Sequence, residues 1–299
     1  MCRIFFYPLE AAHLWYQQLS PYIARVMKRI ALTLCLLLAL PLGVIRAQTN
    51  AGGRPTAMAG SYVAMADGWS AFHNQAGLTH IEGITVGAFY ENRFGLNALS
   101  DKGFLAAIPF KGKSFALSYH GFGDANYSSA KTGLAYAMKL GEKLDAGIQL
   151  DYFSVRLGEN YGSRQGFMAE GGFQYHLNAR LTLAAHVSNP NRAKLSDYID
   201  ERMPGTMRAG ALLRLSDKVL LSGEVYKITG SDASVRAGVE YRVVENAAIR
   251  AGFGSVPGTY TFGFGWKVKT FLIDMAAAYH PILGFNPHVS LTYSGSSKP

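Results

Sequence analysis

From Ile84 to the C-terminus, apolar and polar residues alternate with a period of two, in segments of roughly ten residues. Residues i, i+2 and i+4 of a strand share one face, so each segment sorts into two rows. Val235, Ala237, Val239, Tyr241 and Val243 stand against Arg236, Gly238, Glu240 and Arg242. Tyr260, Phe262, Phe264, Trp266 and Val268 stand against Thr261, Gly263, Gly265 and Lys267. Phe167, Ala169, Gly171, Phe173 and Tyr175 stand against Met168, Glu170, Gly172, Gln174 and His176. The pattern predicts about fourteen strands, near residues 84–94, 102–111, 113–122, 132–140, 143–155, 165–177, 179–188, 205–215, 218–228, 233–243, 246–255, 259–268, 270–280 and 287–295. The first two fit least cleanly, because Phe89 and Leu105 fall on the polar row.

The links carry a second signal. Every other link is a tight turn, as at Lys111-Gly112-Lys113, Asn178-Ala179-Arg180 and Glu245-Asn246. The links between them are longer, as at Gly123–Lys131, Arg156–Gln165 and Asn189–Pro204. Short turns on one side and long loops on the other mark bacterial outer-membrane barrels, with the short side periplasmic. Aromatics of the apolar rows collect towards both strand ends: Tyr136, Tyr175, Tyr241 and Trp266 before tight turns, and Tyr90, Tyr119, Tyr152, Phe253 and Tyr279 near the long links. Such rings concentrate at membrane boundaries. A soluble sandwich would carry polar outer faces, and a helical reading would cost ~1 kcal/mol at each recurring glycine. The fold class is thus all-β: a transmembrane antiparallel β-barrel over residues 84–295, set in outer-membrane lipid, with both termini periplasmic.

Before the barrel, Ile30–Ile45 is a predominantly apolar run with Pro41 and Gly43 near its end, follows Lys28-Arg29 and leads to Ile45-Arg46-Ala47. This predicts a secretory signal peptide over 1–47, shorter than the ~20 residues of a spanning helix. Met27 stands just before the basic pair, so 1–26 reads as an over-extended start or a long leading region. Charged residues are only 16% of the 299, against about a quarter in ordinary globular chains, and the mean hydropathy of +0.06 suits strands with one apolar and one polar face. Both cysteines, Cys2 and Cys35, fall in the removed part, so the mature chain has no thiol chemistry. Arg3, Arg25, Lys28, Arg29 and Arg46 against Glu10 take +4 of the +9 net charge, leaving +5 and no indication of a nucleic-acid partner.

The inward row is charged at Lys139, Asp145, Glu170, Arg208, Arg214, Glu224, Arg236, Glu240, Arg242, Arg250, Lys267 and Asp274, with His176 and His186 beside them. Charges at membrane depth must line water or pair. Arg208, Arg214, Arg236, Arg242 and Arg250 could form an anion-favouring lining, but Glu224, Glu240 and Asp274 sit among them and point to a paired network that docks a plug. Inward glycines at 147, 172, 210, 238, 252, 254, 263 and 265 leave space for such a plug or for strand curvature. No histidine pair has metal-ligand spacing: His73 and His80, and His280 and His288, come nearest. No metal or cofactor is expected, and with no nucleophile motif no enzyme either.

Residues 48–83 do not alternate. Small residues at Ala57, Gly60, Ala64 and Gly68 allow close packing, while Tyr62, Met65, Trp69, Phe72 and Leu78 need burial, which predicts a hatch inside the lumen. The run Ala57–Ala64, then Asp67, then Phe72–Leu78 resembles the N-terminus of the PorV/PorQ family and the related FadL-type barrels, whose pattern is A-M-(A/G)-G-(A/S)-Y-V-A, an aspartate, and W/F-x-N-P-A-G-L. Gly60, Tyr62, Asp67, Phe72, Asn74, Ala76, Gly77 and Leu78 carry the match. The resemblance implies fourteen strands and an inserted hatch. It implies a component of type IX-like secretion or surface attachment with outer-membrane or secreted protein partners, or alternatively a channel for hydrophobic or small molecules. Gln75 stands where the family has proline, so a looser turn is expected there.

Overall fold

The computed structural model describes residues 50–158, 162–193, 202–256, 258–281 and 284–295. The expected signal peptide over 1–47 lies outside the described residues, as does much of the Asn189–Pro204 link.

Fourteen strands close into one antiparallel barrel in which each pairs with its sequence neighbours and β1 meets β14. They are β1 (Thr85–Asn92), β2 (Ser100–Phe110), β3 (Lys113–Gly123), β4 (Tyr127–Lys139), β5 (Leu144–Leu157), β6 (Ser163–His176), β7 (Leu181–Ser188), β8 (Thr206–Arg214), β9 (Val219–Ile228), β10 (Ala233–Val244), β11 (Ala247–Gly254), β12 (Thr259–Val268), β13 (Phe271–His280) and β14 (Gly284–Ser294). The seam runs from Thr85↔Ser294 to Glu91↔His288. A closed ladder leaves no unpaired edge, which is what allows strands to cross hydrocarbon. The β2–β3 turn shows how the tight links form. Phe110 pairs with Lys113, and Lys111 and Gly112 between them both take positive φ, at 50° and 76°. That is the two-residue hairpin whose twist matches the strands.

The rows sort as alternation dictates. Leu134, Ile148, Phe167, Met207, Phe262 and Phe285 all stand with more than half their surface outside, an apolar exterior that only lipid would cover. Two expected long links are shorter than read: β4 takes in Tyr127–Lys131, and the β5–β6 strands reach Leu157 and Ser163. These extensions lack clean alternation because they are held by ladder pairing, Tyr127↔Leu157 to Lys131↔Phe153, rather than by sorting lipid from lumen.

The N-terminal segment packs against inward-facing side chains of the wall. It contains α1 (Gly53–Ala57), α2 (Ser70–His73) and a 3-10 helix over Gln75–His80. From Ala51 to Thr79 every residue is buried except Arg54, Ala66, Asp67 and Phe72, which are half-buried. Phe89 and Leu105, anomalous in the strand pattern, pack with Trp69, Met65 and Phe72 of this segment. Leu78 meets a wall trimmed to Ala107, Ala116, Ala135 and Ala137. An apolar residue on an inward row thus marks where the segment lies rather than a failed strand.

Candidate functional site

Among the polar contacts that fasten the segment to the wall, three charged clusters of the described residues lie around Arg54, Glu224 and Gln75. The first centres on Arg54 of α1, whose Nε and Nη2 donate to Glu240 of β10 at 2.7 and 2.8 Å, while Nη1 reaches Asp67 at 2.9 Å. Asp67 also accepts from the Tyr62 hydroxyl and, at 2.9 Å, from the Trp69 amide. Glu240 continues to Arg250 at 2.6 Å, and Arg250 to Asp274 at 2.6 Å. Burial opposes charge on Arg54, but Glu240, Tyr62 and Asp67 beside it hold the guanidinium protonated well above its ordinary range. Burial likewise pushes the Tyr62 phenol up, so it stays a donor to Asp67.

The second cluster centres on Glu224 of β9. One carboxylate oxygen accepts the amides of Tyr62 and Val63, both at 3.0 Å; the other takes Arg208 at 2.8 Å, with Arg236 at 3.6 Å. Arg208 continues to the carbonyl of Gly60 at 3.1 Å and to His73 Nδ1 at 3.2 Å, and the Arg236 guanidinium lies 3.9 Å over the Tyr226 ring. The third joins Gln75 to β6 and β7: its amide donates to Glu170 at 2.9 Å and its carbonyl lies 3.1 Å from His186 Nε2. Lys131 completes the Glu170 site at 2.7 Å. The looser turn expected at Gln75 is therefore corrected. The side chain is fully buried and ties to the wall, and Asn74 caps the 3-10 helix by accepting from Ala76.

The remaining motif residues act by size. A Cβ on Gly77 would come within 2.4 Å of the Met65 carbonyl, and Gly60 has φ +73° with Asn50 against it. On the wall, Cβ atoms at Gly147, Gly172, Gly210, Gly238, Gly252 and Gly263 would each stand under 3.0 Å from segment atoms. Gly265 instead makes room for Arg250 and Asp274. Gly254 has only Arg236 nearby, at 4.0 Å. Of the five arginines considered as an anion lining, Arg208, Arg236 and Arg250 are buried in ion pairs. Arg214 and Arg242 are exposed at the tight-turn ends of β8 and β10 and join none of the three clusters. A continuous cationic lining is thus replaced by a paired network, because each central arginine has a carboxylate on a neighbouring strand.

Towards the long-loop side the segment leaves a chamber of about 210 Å³. Ala51, Phe72 and His73 form part of its lining from the segment; Tyr226, Lys131, Glu170 and Arg208 contribute from the wall. His73 Nε2 lies 3.0 Å from the Ala51 carbonyl and Nδ1 faces Arg208, which fits a neutral ring protonated on Nε2. Burial, then Arg208, hold its pKa well below the usual 6.5, with Arg236 and His186 adding to the effect. A group with a depressed histidine pKa stabilises the docked state above its ordinary value, and that contribution is lost as pH falls below it. Amide protection over residues 70–80, taken relative to each amide's intrinsic exchange rate at the same pH, is therefore expected to fall between about pH 7 and pH 5, and to lose most of that dependence in His73→Gln; equal pH dependence in the variant would count against this origin.

No family model matches the sequence, and no curated protein matches it. Solved structures do match in shape. The monoaromatic hydrocarbon channel CymD superposes with a TM-score of 0.66, covering 83% of this chain and 98% of that one, at 14% identity. The Ralstonia pickettii toluene transporter TbuX gives 0.65, with 81% and 98% covered at 12% identity. A Pseudomonas aeruginosa FadL homologue gives 0.58, with 84% and 99% covered at 12% identity. The chain has the FadL-type barrel fold. At these identities the likeness extends to the fold and no further. Within this FadL-type barrel, sequence reading missed Arg54, Gln75, Lys131, Tyr226 and Ser222, the last meeting Ser61 at 2.8 Å. Arg54 precedes the motif run, and Gln75 occupies the motif's proline position, where a departure was seen but not its contacts with the wall; Ser222 and Tyr226 flank Glu224 on one inward row, which was the available signal.

Proposed function

We propose that this protein is an outer-membrane channel for small hydrophobic molecules, with residues 48–83 serving as its hatch and both termini on the periplasmic side. The observation that carries this reading is the chamber above the segment. Its volume of about 210 Å³ exceeds the ~150 Å³ in which a benzene-sized guest is accommodated. Phe72 offers an aromatic face to such a guest, while Lys131, Glu170 and Arg208, already paired among the wall's charges, border it with polar groups that a substituent could meet. The channels that share the fold are described as hydrocarbon and toluene transporters, which supports the same class of cargo.

The second reading, a PorV/PorQ-type secretion component, rests on the motif between Ala57 and Leu78. In the barrel, however, Tyr62, Asn74, Ala76, Gly77 and Leu78 are fully or almost fully enclosed, and their contacts are internal. The motif is accounted for by docking and offers little surface to a protein partner. Uptake of radiolabelled toluene by cells with and without the protein tests the choice. Faster uptake with the protein is expected, with Phe72→Ala weakening binding about tenfold, the equivalent of roughly 1.4 kcal/mol for a lost aromatic contact. Unchanged uptake, together with a secretome altered by deletion of the protein, would favour secretion instead.

A further inference from the structure

No two histidines stand at metal-ligand spacing in the sequence, His73 and His80 or His280 and His288 coming nearest, but the fold brings His80 to His176. His80 ends the 3-10 helix, Asp145 is the second residue of β5 and His176 closes β6, so three separate elements converge at the tight-turn end of the barrel. Nε2 of His80 lies 2.7 Å from Asp145 Oδ2, Nε2 of His176 lies 2.8 Å from the same oxygen, and the two nitrogens are 3.2 Å apart. The rings meet edge-on at 75° with centroids 4.9 Å apart.

This triangle has the shape of a metal site. Ligands held at the ~2.0–2.1 Å typical of zinc in a tetrahedral arrangement stand about 3.3–3.4 Å from one another. The two nitrogens are already at that spacing, and the carboxylate oxygen needs to recede by about half an ångström from each. Without an ion, both ring nitrogens can donate to the one Asp145 oxygen, which leaves two donors facing each other at 3.2 Å. An ion replaces both contacts with ligand bonds. The outer partner is in place as well: His176 Nδ1 lies 3.0 Å from Thr182 Oγ1, which orients the ring to present Nε2. Asp145 is buried, whereas His80 and His176 keep 36% and 24% of their side-chain surface open, so an ion can reach the site and retain a water as fourth ligand.

We propose that His80, Asp145 and His176 form a divalent transition-metal site of the zinc class that locks the end of the N-terminal segment onto β5 and β6. Two imidazoles and one carboxylate suit zinc rather than calcium or magnesium, which prefer all-oxygen sets. The inference is independent of what the channel carries.

The test uses the mature protein without a histidine tag, stripped by chelator and held in detergent. Cobalt(II) titration should give the visible absorption of a tetrahedral site at one ion per chain, displaced by zinc. His80→Ala and His176→Ala should each weaken binding at least about a hundredfold, and Thr182→Val about tenfold, as loss of an outer partner does. Zinc should also slow amide exchange over residues 75–82 in the unaltered protein, a readout that needs no variant to fold. Cobalt binding equal in the unaltered protein and in the His80→Ala/His176→Ala double variant would overturn the site. Binding with unchanged exchange would overturn the lock.

Discussion

Glu224→Ala is expected to free the middle of the N-terminal segment while the barrel wall stays folded. Glu224 is 3% exposed and serves two sets of donors at once: the Tyr62 and Val63 amides of the segment, and the Arg208 and Arg236 guanidinium groups of the wall. Its removal strands two buried amides and leaves two neighbouring arginines without their shared carboxylate. Breaking a buried ion pair from one side costs about 3–5 kcal/mol, and each 1.4 kcal/mol is about a factor of ten. The undocked population should therefore rise by about two to three and a half orders of magnitude. The wall itself relies on the β8–β9–β10 ladders, which the substitution does not touch. Amide exchange over residues 58–66 and conductance in planar bilayers should both increase, with Glu224→Gln intermediate because it keeps an acceptor for the amides. Unchanged exchange in Glu224→Ala would show that apolar packing alone holds the segment.

The barrel was legible because lipid and lumen impose opposite chemistries on alternate residues. Val235–Val243 and Tyr260–Val268 sort into rows without any knowledge of their neighbours, and the structure keeps both registers. Legibility failed where that contrast was absent. Tyr127–Lys131 reads Tyr-Ser-Ser-Ala-Lys, with no apolar row, yet pairs with β5 throughout. Phe89 and Leu105 looked like errors because an inward row was assumed to face water; they face Trp69 and Phe72.

The lumen was legible in kind but not in partnership. Alternation shows that Glu224, Arg236, Glu240 and Arg250 point inward, and the mix of signs favours pairing. Which groups pair depends on strand neighbours and on a segment that lies more than 140 residues away in sequence, as with Arg54 and Glu240 at a separation of 186. Arg214 and Arg242 share the inward row with the paired arginines and differ only in height along the barrel, a coordinate that alternation does not contain. The His80–Asp145–His176 convergence was hidden for the same reason, since its members are separated by 65 and 31 residues.

The inward glycines lead to the second large effect, which involves volume rather than charge. Gly238 and Gly252 are direct partners across β10 and β11, and together they form a notch for Met58. A Cβ on Gly252 would lie 2.5 Å from the Met58 carbonyl carbon and 2.6 Å from the Ala59 amide nitrogen. Those are backbone atoms, tied to the wall beside Gly252 by its cross-strand partner Thr261, which accepts from the Ala59 amide at 3.0 Å and donates to the Ala57 carbonyl at 2.8 Å and whose Oγ1 would itself lie 2.6 Å from the new Cβ. Neither side can yield by a rotamer change, so Gly252→Val must displace the segment. Overpacking costs about 1–3 kcal/mol where a core can relax, and the upper end applies where backbone meets backbone. The strand should tolerate the change, because valine suits a β-conformation and the vacated lumen admits it. Conductance should rise as in Glu224→Ala, with the ion pairs of the wall still intact. Gly223→Val controls for adding a β-branched residue to the wall: it lies on the outward row of the adjacent β9, and its Cβ would meet nothing within 4 Å. If Gly252→Val conducts no more than Gly223→Val, then the notch is not what seats the segment, and the glycines serve strand curvature instead.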